Sequence, residues 1–104
     1  MESTLEVELI NAKLYDFKLD SGDVIKGIKL YYFDNTIKDG SIKGDILDTF
    51  LSVDKIPEYE RVFETLKNYC KECKERKVAP MIILSYTIKS INSKPIITKI
   101  DLKK

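Results

Sequence analysis

Lysines interleaved with aromatic residues crowd the segment KLYDFKLDSGDVIKGIKLYYFD, which runs from Lys13 to Asp34. Ammonium groups exchange condensed counterions for phosphate contacts, and aromatic rings offer π faces on which any base can stack, at about 1–3 kcal/mol per base. Lys13, Lys26 and Lys29 with Tyr15, Tyr31 and Phe33 have the types such a surface needs, and Lys89 adds a basic group further along. Strand residues alternate between faces, so Ile25, Gly27, Lys29, Tyr31 and Phe33 share one side while Val24, Lys26, Ile28, Leu30 and Tyr32 share the other. Tyr32 is therefore assigned to the core with Ile28 and Leu30, and Lys29 and Tyr31 are expected to project outward beside Lys13 or another basic residue. The competing reading is that these aromatics are strand and core formers only.

Other chemistries find less support. Histidine is absent, which removes the commonest general base near neutral pH and the commonest metal ligand. Asp16, Asp20 and Asp23 flank a turn and do not form a calcium loop, and the four glycines are too dispersed for a phosphate loop. Cys70-Lys71-Glu72-Cys73 has the C-x-x-C spacing, but it falls in the last turns of an expected helix. There the dipole opposes a thiolate, and two cysteines cannot complete a four-ligand zinc site. Both cysteines are read as small core residues. No catalytic constellation, metal site or cofactor is expected.

The 104 residues suit one domain, 1–104, with 43% hydrophobic and 34% charged side chains and a formal net charge of +1. No apolar run approaches the roughly 20 residues that span a bilayer, so no membrane partner is expected. The acidic start, Met1-Glu2-Ser3-Thr4-Leu5-Glu6, lacks the marks of a secretory signal, which points to the cytoplasm. Residues 1–66 carry eight basic and fourteen acidic groups, whereas residues 67–104 carry ten and three. That asymmetry predicts a basic region formed mainly by the later segments.

The elements that must position these residues follow from periodicity. Between Leu5 and Leu19 the apolar parity changes, from Leu5, Val7 and Leu9 to Ile10, Ala12 and Leu14, then to Tyr15, Phe17 and Leu19; this predicts a long first strand bent by bulges. Asp20-Ser21-Gly22-Asp23 signals a turn, and Val24 to Phe33 a second strand. A polar connection, Asp34 to Gly44, leads to a third strand over about Asp45 to Ser52. Pro57 marks a helix start, with Asp54 as a candidate cap. Tyr59, Val62, Phe63, Leu66, Cys70 and Cys73 make its apolar stripe. Met81 to Ile91 predicts a fourth strand, Asn92-Ser93-Lys94-Pro95 a turn, and Ile96 to Leu102 a fifth. A long coiled first strand, and a helix between strands three and four, predict a mainly β fold: a five-stranded barrel of the oligonucleotide-binding (OB) type, in the order β-β-β-α-β-β.

The pattern Lys-x-Tyr-x-Phe, a D-x-G turn and then Val-Ile-Lys-Gly-Ile-Lys-Leu-Tyr-Tyr resembles the first hairpin of small OB-fold single-stranded DNA-binding proteins from plasmids and phages of low-GC bacteria. These are distant relatives of the filamentous-phage helix-destabilising proteins, and the basic and aromatic second strand with an internal glycine is matched here by Lys26, Gly27, Lys29 and Tyr31. The resemblance implies a non-enzymatic protein that holds single-stranded DNA during replication or transfer. A protein-interaction or duplex-DNA accessory module of a replication or conjugation complex is the alternative, with a homodimer or such a complex as partner.

Overall fold

The computed structural model describes residues 2–35, 39–40, 42–90 and 94–103. Five strands and one helix follow in the order β1 (Glu2–Lys18), β2 (Val24–Asp34), β3 (Asp45–Ser52), α1 (Tyr59–Glu75), β4 (Met81–Thr87) and β5 (Ile96–Leu102). All neighbouring strands are antiparallel, in the sheet order β3-β2-β1-β4-β5.

β1 organises the sheet because it serves two partners in succession. Glu2 to Glu8 pairs with β4, and Glu8 to Lys18 pairs with β2. The change of partner coincides with a register shift between Leu9 and Asn11. One extra residue there moves the set on the helix side of the sheet from Leu5, Val7 and Leu9 to Ala12 and, beyond the core, the exposed Leu14, which is the first parity change visible in the sequence. Ile10, expected with the inward set, sits in the shift and is exposed. The second parity change has another cause: Tyr15 and Phe17 stay in regular register with Gly27 and Ile25 and simply occupy the opposite face.

The core lies between the concave face of the sheet and α1. Val7, Leu9, Ile28, Leu30, Ile82 and Leu84 are buried under Tyr59, Leu66, Tyr69 and Cys73, with Val62, Phe63 and Cys70 half-buried beside them. The expected helical stripe thus faces the sheet. Tyr69, not assigned to that stripe, is buried as well, and its hydroxyl lies 2.9 Å from the Met81 carbonyl and 2.6 Å from that of Lys103. It ties the helix to the edge where β4 begins and β5 ends.

Helix boundaries depart from expectation. Asp54 does not cap: a turn in which Lys55 and Ile56 donate to the Ser52 carbonyl separates it from the helix, and Glu58 takes the cap position without a side-chain cap bond. Pro57 precedes that cap and so lies outside the first turn. At the other end Val78 N–H donates to Cys73 and Lys77 N–H to Lys74, a Schellman closure that puts Lys77 in the left-handed region at φ 56°.

β4 stops at Thr87, with Ile88 to Ser90 outside the strand and Ile91 outside the described residues, because its ladders end there: Thr87 opposes Glu2, where β1 starts, and Ile96, where β5 starts. The expected turn residues Asn92 and Ser93, and part of the Asp34 to Gly44 connection, lie outside the described residues. Among the described residues β3 and β5 are unpaired on their outer sides, so the sheet is open where a barrel would close. No described helix is long and apolar enough to cross a membrane. The radius of gyration, 14.9 Å, exceeds the roughly 13 Å of a compact chain near this length. The far end of the β1–β2 hairpin accounts for part of this, leaving Leu14, Phe17, Leu19 and Val24 exposed.

Candidate nucleic-acid interface

The face of the sheet turned away from α1 is built by parity. β2 contributes Lys29, Tyr31 and Phe33; β1 contributes Lys13, opposite Lys29, with Tyr15 and Phe17 further along opposite Gly27 and Ile25; and β3 adds Ile46, Asp48 and Phe50. Lys13 stands directly across from Lys29, and their ammonium nitrogens lie 5.3 and 5.4 Å from the centroid of the Tyr31 ring. Each is at cation–π distance, so a single ring holds two like charges together. Asp48, the cross-strand neighbour of Tyr31, reaches to 3.9 Å from Lys29. The Lys29 ammonium titrates above the ordinary lysine range, chiefly through Tyr31 and with help from Asp48 and Tyr15, against a lowering by partial desolvation. It is fully charged at neutral pH.

Beside this cationic pair lies an aromatic cluster. The Tyr15 ring sits 5.8 Å from Phe17 and 5.5 Å from Phe50, at interplanar angles of 51° and 52°. Gly27, opposite Tyr15, makes the cluster feasible. A Cβ there would stand 2.8 Å from the Phe50 ring and 2.9 Å from Ser52 Cα, and would collide with the Leu51 carbonyl oxygen. Only a residue without a side chain lets β3 approach and Phe50 lie across the strand to meet Tyr15. From Ile25 to Phe33 the track is about 27 Å long at about 3.4 Å per residue.

Of the residues expected to bind, Lys13, Tyr15, Lys29, Tyr31 and Phe33 are brought together on this face. Lys26 is not: it pairs with Asp16 and shares the parity of Ile28, so it points to the opposite side. Lys89 follows the end of β4, near Glu2, and so sits about 36 Å of β1 away from Lys13 at about 3.3 Å per residue. Phe50 was not foreseen. Its signal was the alternation of Ile46, Asp48 and Phe50 against Leu47, Thr49 and Leu51 in β3, which parity reads as readily as in β2. Of the basic residues of the later half, Lys71, Lys74 and Arg76 belong to the helix or its end, whereas Lys94 shares a cleft with Ile46 and Asp48 at the β3 edge of this face. The face also has an acidic boundary: Glu8 opposes Phe33, and Glu6 is paired with Lys103.

Such a surface can stack planar rings and hold anions. Among the described residues no group of three or more His, Cys, Asp or Glu side chains is placed to hold a metal ion. Cys73 is buried and Cys70 half-buried, with burial pushing the Cys70 thiol up in pKa, away from thiolate chemistry. Comparison with protein-family models, with curated proteins and with solved structures finds no match to this chain.

Proposed function

We propose that this chain is a non-enzymatic single-stranded DNA-binding protein, acting in the replication or transfer of a plasmid, phage or conjugative element, with the β1–β2–β3 outer face as its binding surface. The observation that carries the reading is the placement of Lys13 and Lys29 opposite each other around Tyr31. Like charges directly across a strand pair are destabilising, and a polyanion laid along the track relieves the repulsion while Tyr31, Tyr15, Phe17 and Phe50 present ring faces to bases. Rings read no sequence, so affinity without base specificity is the expected behaviour.

In this reading the platform is an OB-like barrel left open on one side. In its favour are a bent first strand shared between β2 and β4, the helix between β3 and β4, and the approach of the β3 and β5 edges to one cleft. A second reading, a protein-interaction module, draws on the exposed Leu14, Leu19 and Val24 at the hairpin end, which are suited to another protein or a second copy of this chain. Competition separates the readings. Unlabelled single strands should displace a bound labelled oligothymidine more efficiently than duplex of equal length. Equal displacement would favour a duplex accessory role, and no binding at low salt would favour protein interaction.

A further inference from the structure

One row across the three strands of the outer face reads Asn11, Tyr31, Asp48: Asn11 of β1 and Asp48 of β3 are the register partners of Tyr31 on its two sides. Directly opposed residues place their Cβ atoms about 4.5–5.5 Å apart, so a base lying on the Tyr31 ring has a carboxamide near one edge and a carboxylate near the other. The next row, Lys13, Lys29 and Phe50, supplies positive charge and a second ring. Phosphate and stacking contacts carry no base preference, whereas a polar side chain at the edge of a stacked base does.

We infer that Asp48 reads the base stacked on Tyr31 and selects guanine there, with Asn11 as the donor at the opposite edge.

Asp48 is out of place on a surface that only holds phosphates, because a carboxylate repels the backbone of the bound strand. Its contact with Lys29 leaves it available. Lys29 Nζ lies 3.9 Å from Asp48 Oδ2, too far for a hydrogen bond, and the Asp48 side chain is 57% exposed. Both carboxylate oxygens therefore keep acceptor sites open to a ligand, and an ionised carboxylate only accepts. Guanine offers two adjacent donors, N1–H and N2–H, in line with two carboxylate oxygens. Cytosine and adenine each offer one amino group beside an unprotonated ring nitrogen, and the thymine N3–H lies between two carbonyl oxygens that a carboxylate repels. Asn11 serves the other edge. Its Oδ1 accepts from the Ala12 N–H at 2.9 Å, which orients the amide and leaves the Nδ2 protons to donate, a match to the guanine N7 acceptor. Lys13 and Lys29 remain for the flanking phosphates. The preference belongs to one position of the track and adds to the unspecific affinity of the rest. This inference rests on the DNA-binding reading of the same face.

The test uses the full chain and fluorescence anisotropy with a labelled oligothymidine of about ten nucleotides, within the span of an OB-type site. One central thymidine is replaced in turn by guanosine, inosine, 7-deazaguanosine, cytidine or adenosine. Guanosine should tighten binding by about fivefold or more, as a bidentate base contact does, and cytidine and adenosine should gain less. Inosine, which keeps N1–H but lacks the N2 amino group, should lose most of the gain, and 7-deazaguanosine, which lacks the N7 acceptor, should lose part of it. Asp48→Asn should bind the all-thymidine strand at least as tightly as the parent, because a negative charge leaves the track, yet no longer distinguish guanosine from thymidine. A merely structural role for Asp48 would not move these two readouts apart. Asn11→Ala should erase the difference between guanosine and 7-deazaguanosine while keeping that between guanosine and inosine. The inference is overturned if the parent binds guanosine-centred and thymidine-centred strands equally, if inosine, cytidine or adenosine serves as well as guanosine, or if the preference survives Asp48→Asn. Equal binding of guanosine and 7-deazaguanosine by the parent overturns the role of Asn11. A parent protein that binds none of these strands at low salt overturns the DNA-binding reading itself, and this inference with it.

Discussion

Replacing Gly27 by alanine tests whether one glycine joins the fold to the candidate site. The added methyl would meet Ser52 Cα at 2.9 Å, the Phe50 ring at 2.8 Å and the Leu51 carbonyl oxygen closer still. A flexible ring can swing away, but the other two atoms are β3 backbone, so β2 and β3 must part locally. Overpacking of an ordinary core costs about 1–3 kcal/mol. With two backbone collisions the expected loss is at the top of that range, about 3 kcal/mol, out of the roughly 5–15 kcal/mol typical of a domain. Urea unfolding, with a slope of about 1–3 kcal/mol/M, should place the midpoint well below that of the parent protein. Phe50→Ala serves as the partner in a double-mutant cycle. Removing the ring relieves one of three contacts, so Gly27→Ala should remain destabilising by about 2 kcal/mol in that background. A loss below about 0.5 kcal/mol, the usual range for a surface change, would refute the close approach of β3.

Five further outcomes are expected. Lys77→Gly should stabilise by about 0.5–1 kcal/mol in urea unfolding, because Lys77 closes the helix in a left-handed conformation that costs a side-chain-bearing residue. Tyr69→Phe should destabilise by about 0.5–1.5 kcal/mol, since the hydroxyl gives its one proton to the Met81 or the Lys103 carbonyl and Met81 keeps the Lys103 N–H when it is removed. Tyr69 is also pushed up in pKa, by burial first and then by Cys73, so the stability it lends is fully present below the unfolded tyrosine value of about 10 and is lost as pH rises through the higher folded value. Urea midpoints measured across that alkaline range should therefore fall less steeply in Tyr69→Phe than in the parent. Cys70 should react with iodoacetamide more slowly than free glutathione at neutral pH, and replacing Cys70 and Cys73 with alanine should lower stability while leaving oligothymidine affinity unchanged.

Much of the fold was legible because alternation and helical spacing are local signals. The parity change after Leu9 marks a real register shift, and β3 and β5 begin and end where their apolar runs do. Tyr69 was legible too, three residues after Leu66 and four before Cys73, but a stripe assigned through Cys70 passed it over. What parity does not settle is why it changes: the switch to Tyr15 and Phe17 places aromatic rings on the outer face, visible only once Phe50 is seen to cross Gly27. Closure was not legible either. Whether β3 meets β5 depends on the curl accumulated over five strands, and residue types at the edges do not encode it. At the site, strand parity separates Lys29 from Lys26, and only the ladder shows that Lys13 stands opposite Lys29. Lys89 illustrates the limit of composition: a basic residue counts toward a patch only where the topology brings it there.

The most direct measurement is fluorescence anisotropy of a labelled oligothymidine titrated with the protein at several salt concentrations, repeated for Lys13→Ala, Lys29→Ala and Tyr31→Ala. Binding should weaken linearly in log–log form with salt, and each lysine substitution should make the slope shallower by about 0.7, the contribution of one phosphate contact on a single strand. Tyr31→Ala should reduce affinity by about 1–3 kcal/mol through lost stacking, with a smaller change in slope. Absence of binding by the parent protein at low salt, or a salt slope that neither lysine substitution alters, would contradict the assignment of this face to single-stranded DNA.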